Sequence, residues 1–340
     1  MKKVYRLQAI GGSIYVALPK EWLKRYNLDK GSAVEVFMDS DGGLKVLPLK
    51  KGVWHIGTSK NLEIEIFVEK PAEVFSSLLT AYLRGFDLIT LKLSSSNIEK
   101  EVKGVIDNAK ELLLGLETVD TGSNYIVLKV LTSEDVDVEQ LVRNLHKIAR
   151  SMYLDSLQAL EQRDVELAKA VTLRDRDINR LYFFITRAIR KRILSPEVME
   201  SRSLLKLVDM RMLIKFIESI GDEAKNAALS AIEIISKGLE VPKDYINAVK
   251  EGVAKIDGVY KAVVMKAYDK ALDITELREY MKVCSLVRDT IKHLRIRVAE
   301  ESTLYWFTEF LRSYENIAMN VYDILSLMPP EIASSTLVYE

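Results

Sequence analysis

The stretch that decides the fold of the C-terminal part runs from residue 207 to residue 235 and reads LVDMRMLIKFIESIGDEAKNAALSAIEII. Apolar or small residues recur in it at alternating steps of three and four, the spacing of one face of an α-helix. These positions are Leu207, Met210, Ile214, Ile217, Gly221, Ala224, Ala228, Ala231 and Ile235. The pattern predicts a long helix that buries this face in a bundle, where its small residues let a neighbouring helix approach closely.

The chain on both sides of this stretch, from about Asp137 onwards, also has a helical pattern. Prolines and turn residues divide it into roughly six long helices. The breaks lie at Ser195 and Pro196, at Val241 and Pro242, and at Pro329 and Pro330. The simplest packing is two three-helix units, which we place at residues 137–238 and 239–330.

Residues 50–136 alternate between short apolar runs and amphipathic segments, which predicts a small α/β sandwich. No glycine-rich phosphate loop follows any of its strands, so this domain has no nucleotide-binding fingerprint. The predicted strands are Leu62–Val68, Asp87–Leu93 and Tyr125–Leu131, and the predicted helices are Pro71–Arg84 and Ile98–Leu114.

Residues 1–49 are predicted to form four short strands and one helical turn. Apolar residues alternate at Ile14, Val16 and Leu18, and the same period of two recurs at residues 34–38 and 44–46. Glycines at 11–12 and 42–43 supply the turns, and Pro19 opens a short helix that ends near Asn27. About fifty residues make a thin core for an independent monomer, so we expect this domain to dimerise.

Charge is distributed unevenly although the chain is neutral overall, with 49 Lys and Arg against 49 Asp and Glu. The first thirty residues carry seven basic and two acidic residues, so the rest of the chain is mildly acidic. A basic module on an acidic body is the asymmetry of a protein that meets a polyanion. The basic residues include Arg6, Lys20, Lys24 and Arg25, and the polar residue Ser13 could reach base edges or sugars.

The sequence contains no signature of an enzyme or of a zinc site. His55, His146 and His293 lie in three different segments without a second histidine four residues away. The single cysteine, Cys284, cannot form an intramolecular disulfide, and we expect it to be a buried packing residue. The longest stretch without charged residues, Leu7–Pro19, is too short to cross a bilayer, so we expect a cytoplasmic protein without a membrane-inserted segment.

Nearly all of residues 1–49 resembles the AbrB/MazE/SpoVT swapped-hairpin family. The similarity is carried by the stretch GGSIYVALPKEW at residues 11–22, by Leu28, by Lys30-Gly31-Ser32 and by Val34-Glu35-Val36. Members of that family are dimers whose intertwined strands carry basic residues to DNA. The resemblance implies a homodimer and DNA contacts from Arg6, Ser13, Lys20, Lys24 and Arg25.

The helical region resembles the PhoU phosphate-uptake regulators. IESIGDEAKN at residues 217–226 is similar to the signature helix of that family, and LRDRDINRL at residues 173–181 is similar to its other repeat helix. AYLRGFD at residues 81–87 and LLGLE at residues 113–117 look like archaeal proteins that fuse both parts. The resemblance implies a regulator of phosphate uptake that contacts a phosphate transporter or a signalling protein.

The metal motif of the PhoU family places an acid four residues before an aspartate, on adjacent turns of one helix face. Glu218 and Asp222 keep that spacing, and Asp175 lies in the other repeat helix. The resemblance therefore makes these three residues candidate ligands of a divalent or iron-type metal ion, and no cofactor is certain from the sequence. Lys215 and Lys225 flank the pair and could neutralise it without metal.

The acid spacing is incomplete elsewhere in the helical region. Asp175 is followed at the fourth position by Asn179, and Glu315 by Met319. Glu218 and Glu315 are 97 residues apart in similar stretches, which suits two repeated three-helix units. The sequence thus predicts a duplication in which the second copy has lost a carboxylate.

Together these patterns predict a multidomain α+β protein that is not an enzyme. Its parts are a dimeric swapped-hairpin domain at 1–49, a small α/β sandwich at 50–136, and two PhoU-like three-helix units at 137–238 and 239–330. The favoured function is a DNA-binding regulator of phosphate uptake. Two alternatives remain: a regulator of a phosphate transporter whose N-terminal domain only dimerises, and a metal-binding helical bundle.

Overall fold

The computed structural model describes residues 6–10, 12–38, 44–48, 62–132, 136–194, 201–266, 273–299 and 305–327. The chain divides into two compact units, one made of Met1–Lys60 and Leu194–Leu204, the other of Asn61–Ile193 and Leu205–Glu340. Some sequence predictions lie outside the described residues: Gly11, the turn at 42–43, His55, and the breaks at Ser195 and Pro196 and at Pro329 and Pro330.

The N-terminal unit contains the four strands and the short helix that the sequence predicts. Each pair of strands forms an antiparallel hairpin, with Ala9 opposite Ile14 in the first and Val36 opposite Val46 in the second. Gly12 lies in the turn of the first hairpin with a φ of 86°, a left-handed conformation that favours glycine. The elements are β1 Gln8–Ile10, β2 Ser13–Tyr15, α1 Lys20–Arg25, β3 Val34–Met38 and β4 Leu44–Pro48.

Helix α1 begins after Pro19, whose fixed φ suits the start of a helix. It ends where Asn27 adopts a left-handed φ of 50°, as predicted. The backbone N–H of Leu28 then donates to the carbonyl of Leu23 at 2.9 Å, which satisfies a carbonyl that the helix itself leaves open.

The α/β domain is a four-stranded sheet with order β5-β6-β8-β7. Strands β5 and β6 are parallel, and β8 runs antiparallel to both of its neighbours. Its two helices pack on one face of the sheet, where they bury Ile89, Leu91, Ile126 and Leu128. The elements are β5 Glu63–Val68, α2 Val74–Leu83, β6 Leu88–Leu93, α3 Glu99–Leu112, β7 Leu116–Gly122 and β8 Tyr125–Val130.

Strand β7 is an element that the sequence interpretation missed. It lies at the edge of the sheet, and only Leu116 among its residues is buried. A shift of register between Thr118 and Asp120 interrupts its pairing with β8. An edge strand with an interrupted register does not show the regular alternation of apolar and polar residues by which strands are recognised.

The rest of the described chain is helical and contains six long helices, which confirms the predicted number. Eight of the nine predicted seam positions of α6 are buried. The exception is the last one, Ile235, which is half-buried, whereas its neighbour Ile234 is buried. A straight helix drifts by about 20° per heptad against a 3.5-residue repeat, which accounts for this change after four heptads. The helices are α4 Val138–Gln162, α5 Val165–Leu194, α6 Ser201–Ser236, α7 Lys243–Lys266, α8 Ile274–Ala299 and α9 Tyr305–Ser326.

Helices α5 and α6 approach each other closely at Gly221. A Cβ atom added at Gly221 would lie 2.3 Å from Cδ1 of Ile178, closer than Cβ atoms approach non-bonded atoms in proteins. A side chain here would force the end of the buried Ile178 side chain to move, which agrees with the close helix approach that the small residues of the seam predict.

The two groups of three helices are joined by a buried polar network around Asp257 of α7. The Asp257 carboxylate accepts hydrogen bonds from Arg150 Nε at 2.6 Å and from the Tyr153 hydroxyl at 2.7 Å, both on α4. Burial alone would raise the pKa of Asp257, but hydrogen bonds from Arg150, Lys261 and Tyr153 outweigh it and lower that pKa to about 2. Tyr314 of α9 joins the network by donating to the Tyr153 carbonyl.

A buried arginine of α5 connects this helix to the α/β domain through hydrogen bonds and an ion pair. The side chain of Arg187 is 1% exposed, and its guanidinium donates to the carbonyls of Tyr82 and Phe86 and to the Asp87 carboxylate at 2.8, 2.9 and 2.5 Å. Lys191, one turn later, contacts the same carboxylate at 2.8 and 2.9 Å. None of the described helices is long and apolar enough to cross a membrane.

Candidate functional site

The predicted DNA-contacting residues lie on two elements of the N-terminal unit. Ser13 begins β2 and Arg6 precedes β1, while Lys20, Lys24 and Arg25 belong to α1. All five side chains are exposed. Lys20 and Lys24 are four residues apart and therefore extend from adjacent turns of α1 on the same side.

The same unit exposes apolar side chains that a folded domain normally buries. Ile14 is 72% exposed, Leu44 is 67% exposed and Val36 is 57% exposed. None of the side chains that the structure describes in this unit is buried. Full burial of one such side chain contributes about 1.5–3 kcal/mol, so the described side chains of a single copy gain little of this stabilisation.

The predicted metal ligands lie together along the contact between α5 and α6. Asp175 of α5 and Glu218 of α6 are buried, and Asp222 is half-buried one turn after Glu218. We call these three carboxylates and the two lysines beside them, Lys215 and Lys225, the α5–α6 charged cluster.

Each lysine of the charged cluster forms an ion pair, Lys215 with a carboxylate of its own helix and Lys225 with a carboxylate of α5. Lys215 Nζ lies 2.5 Å from Glu218 Oε2, and Lys225 Nζ lies 2.7 Å from Asp175 Oδ2. The sequence suggested that Lys225 could neutralise the pair Glu218 and Asp222; its ion pair is with Asp175 of α5, although its charge also lowers the pKa of Asp222. Asn179 also donates to Asp175 Oδ2, at 3.2 Å.

Asp222 is a carboxylate of the cluster whose charged form is disfavoured. Burial raises its pKa to about 6, and the nearby charges of Glu218 and Asp175 act in the same direction. Lys215 and Lys225 lower the pKa but do not compensate fully. The three acids therefore influence one another, as close carboxylates do.

The charged cluster does not have the donor set of a metal site. Within the described residues, no group of three or more His, Cys, Asp and Glu side chains is arranged to hold a metal ion together. Two of the three carboxylates already pair with ammonium groups, although Asp175 Oδ1 is buried without a hydrogen-bond partner. The residues present therefore do not fit the metal that the family motif implies.

The remaining candidate residues have structural surroundings. Cys284 is buried, as predicted, and burial raises the pKa of its thiol to about 12. His146 is buried against the ring of Tyr260 at 4.3 Å between centroids, while His293 is exposed. The polar clusters at Asp87 and Asp257 were missed, because each brings together residues about one hundred positions apart and no local pattern marks such a pair.

Two family models match separate parts of the chain. Residues 142–231 match the PhoU domain, and residues 7–54 match the family described as antidote-toxin recognition MazE, bacterial antitoxin. No curated protein gives a significant match.

One solved structure similar to this chain is PhoU from Pseudomonas aeruginosa, with 20% sequence identity and a TM-score of 0.46. The match covers 56% of this chain and 93% of that one. The two family matches confirm both resemblances found in the sequence. The chain contains a MazE-type antitoxin domain at its N-terminal end and a PhoU domain in its helical region.

Proposed function

We propose that this protein is a homodimeric, cytoplasmic, DNA-binding regulator of phosphate uptake and that it is not an enzyme. The observation that carries the proposal is the combination, in one chain, of a MazE-type domain with exposed basic side chains and a PhoU domain. The N-terminal domain contacts DNA. The helical part contacts a phosphate transporter or a signalling protein and changes how the two basic domains engage DNA.

The homodimer is supported by the exposed apolar side chains of the N-terminal unit. Ile14, Val36 and Leu44 are all more than half exposed in one copy. A second copy that interleaves its hairpins with the first would bury these side chains in a shared core. The sedimentation coefficient of the full chain should therefore be that of a dimer, and it should fall to that of a monomer in the Ile14→Asp, Val36→Asp variant.

DNA contact is supported by the exposure and spacing of the basic residues. Lys20, Lys24 and Arg25 are carried by one short helix, and a two-fold axis would present two such helices to one duplex. Contacts of this kind to phosphates position the protein, while the hydroxyl of Ser13 can reach a sugar or a base edge.

The test is binding of the full chain to random and genomic DNA fragments across a salt series. The variant replaces Arg6, Lys20, Lys24 and Arg25 with Ala. We expect the wild type to select fragments and the variant to lose affinity, with a salt slope smaller by about 0.9 for each phosphate contact removed. A matched control replaces four exposed lysines of the other unit and should bind like the wild type: Lys100, Lys129, Lys282 and Lys292.

The alternative in which the N-terminal domain only dimerises is favoured by the same exposed apolar side chains. It predicts that the four-fold alanine variant remains a dimer and still regulates phosphate uptake in cells. The DNA-binding proposal predicts a dimer that no longer regulates. Equal DNA affinity of the variant and the wild type would refute DNA contact through these four residues.

A further inference from the structure

The α5–α6 charged cluster contains two cations of its own. We propose that Lys215 and Lys225 occupy the place of the metal in this PhoU domain, so that the domain keeps its helices together without a metal ion. The proposal is independent of DNA binding and concerns only the helical region.

The two lysines contact carboxylate oxygens that a metal ion would need as ligands. Glu218 Oε2 and Asp175 Oδ2 lie 2.5 and 2.7 Å from the two ammonium nitrogens. A hard cation binds carboxylate oxygens at about 2.0–2.6 Å, and an ammonium group on the same oxygen would repel it. A metal could enter only after both lysines had left their partners.

Few carboxylate oxygens remain available as ligands for a metal ion. With the lysines in place, the carboxylate oxygens that remain open are Asp175 Oδ1, which is buried without a hydrogen-bond partner, Glu218 Oε1 and those of Asp222. Hard cations take about six to eight oxygen ligands, of which waters supply only a part in stable protein sites. The remaining set becomes attractive to a cation when the two ammonium charges are removed.

The second three-helix group supports the same reading. Glu315, which lies 97 residues after Glu218, pairs with Arg295 Nε at 2.8 Å. Met319 takes the place that corresponds to Asp222, and its Sδ lies 3.3 Å from Arg288 Nη1. Arginine side chains and the Met319 thioether therefore lie where a second carboxylate pair would be needed. In both groups of helices, side-chain cations of the protein itself contact the acids that remain.

The experiment measures Mn²⁺ binding to the full chain after treatment with a chelator, by calorimetry and by the electron paramagnetic resonance signal of free Mn²⁺. We expect no stoichiometric binding to the wild type at micromolar Mn²⁺. The Lys215→Met, Lys225→Met variant should bind about 10- to 100-fold more tightly, the range seen when neighbours of metal ligands change. Adding Asp222→Asn should abolish the gain.

The control variant removes two lysines outside the charged cluster, each of which forms an ion pair with another helix. Lys206 contacts Glu139 at 2.8 Å and Lys250 contacts Glu161 at 2.6 Å. The Lys206→Met, Lys250→Met variant should not gain Mn²⁺ binding. One equivalent of Mn²⁺ bound by the wild type, or no gain in a folded Lys215→Met, Lys225→Met variant, would overturn the proposal.

A measurement on the wild type covers the case in which the double variant does not fold. Acetylation of lysine amines, followed by mass spectrometry, reports how free each ammonium group is. We expect Lys215 and Lys225 to react slowly, and to react at the same rate with and without Mn²⁺. Faster reaction of either lysine in the presence of Mn²⁺ would show that the metal displaces it and would refute the proposal.

Discussion

Replacing Arg187 with Met should loosen the α/β domain from the helical region. Arg187 is 1% exposed and donates to two backbone carbonyls and to Asp87, so methionine fills a similar volume but satisfies none of these acceptors. The acceptors lose the hydrogen bonds that Arg187 donates, while the chain keeps most of the packing of the side chain.

The size of the effect follows from the contacts of Asp87. Removing one partner of a buried ion pair costs about 3–5 kcal/mol because the other charge stays buried. Lys191 still contacts both oxygens of Asp87, which favours the lower end of that range. The Tyr82 carbonyl still accepts a hydrogen bond from the N–H of Gly85 at 3.0 Å, so the loss of Arg187 adds little there. We therefore expect Arg187→Met to destabilise the α/β domain by about 3–4 kcal/mol.

The assay is native-state hydrogen exchange read by mass spectrometry, because a chain of several domains need not unfold in one step. Peptides from residues 62–132 should exchange faster in the variant, by the factor that corresponds to the lost free energy. The control is Arg174→Met, which breaks a half-exposed pair with Asp155 and should cost about 1 kcal/mol or less. Equal exchange of residues 62–132 in both variants would refute the reasoning.

Three further predictions concern the helical region. The Asp222→Asn variant should be as stable as the wild type near pH 4 and more stable above pH 6, because the folded chain disfavours the charged form of Asp222. The difference should be about 1–2 kcal/mol after allowing for partial exposure. Thermal melts across pH will show whether the stability curves of the two proteins diverge. Burial lowers the pKa of His146 to about 4, so the wild type should lose stability as pH falls from about 6.5 towards 4. Urea midpoints should show a smaller loss in His146→Phe, and equal slopes would contradict this. Gly221→Ala should cost about 0–2 kcal/mol in thermal melts, because overpacking against Ile178 of about 1–3 kcal/mol is partly offset by about 1 kcal/mol of helix propensity. Gly258→Ala, with nothing within 4 Å of the added Cβ, should be neutral or stabilising.

The elements with a regular pattern were predictable from the sequence. The seam of α6 follows a helical period over four heptads, and the structure buries it as expected. Pro19 and Asn27 mark the two ends of α1 because both residues restrict the backbone locally. Such features depend on residues a few positions apart, and the printed sequence contains all of the information needed.

The contacts between distant segments were not predictable in the same way. From the sequence, Lys225 could neutralise the nearby pair Glu218 and Asp222, but its ion-pair partner is Asp175 on another helix. Arg187 and Asp87 are one hundred residues apart, and a charged residue in an exposed position has the same local pattern as a buried one. Strand β7 was missed because its burial at the sheet edge is limited to Leu116.

The attachment of Arg187 to the α/β domain bears on where the chain can be cut. Helix α4 begins at Val138, and a fragment starting there would appear from the sequence to contain a complete bundle. Such a fragment would leave Arg187 without the acceptors at Tyr82, Phe86 and Asp87, and Phe183 without the core it packs against. The α/β domain and the helices follow one another in the sequence, but they depend on each other for stability. Truncated versions for expression should therefore begin before residue 62.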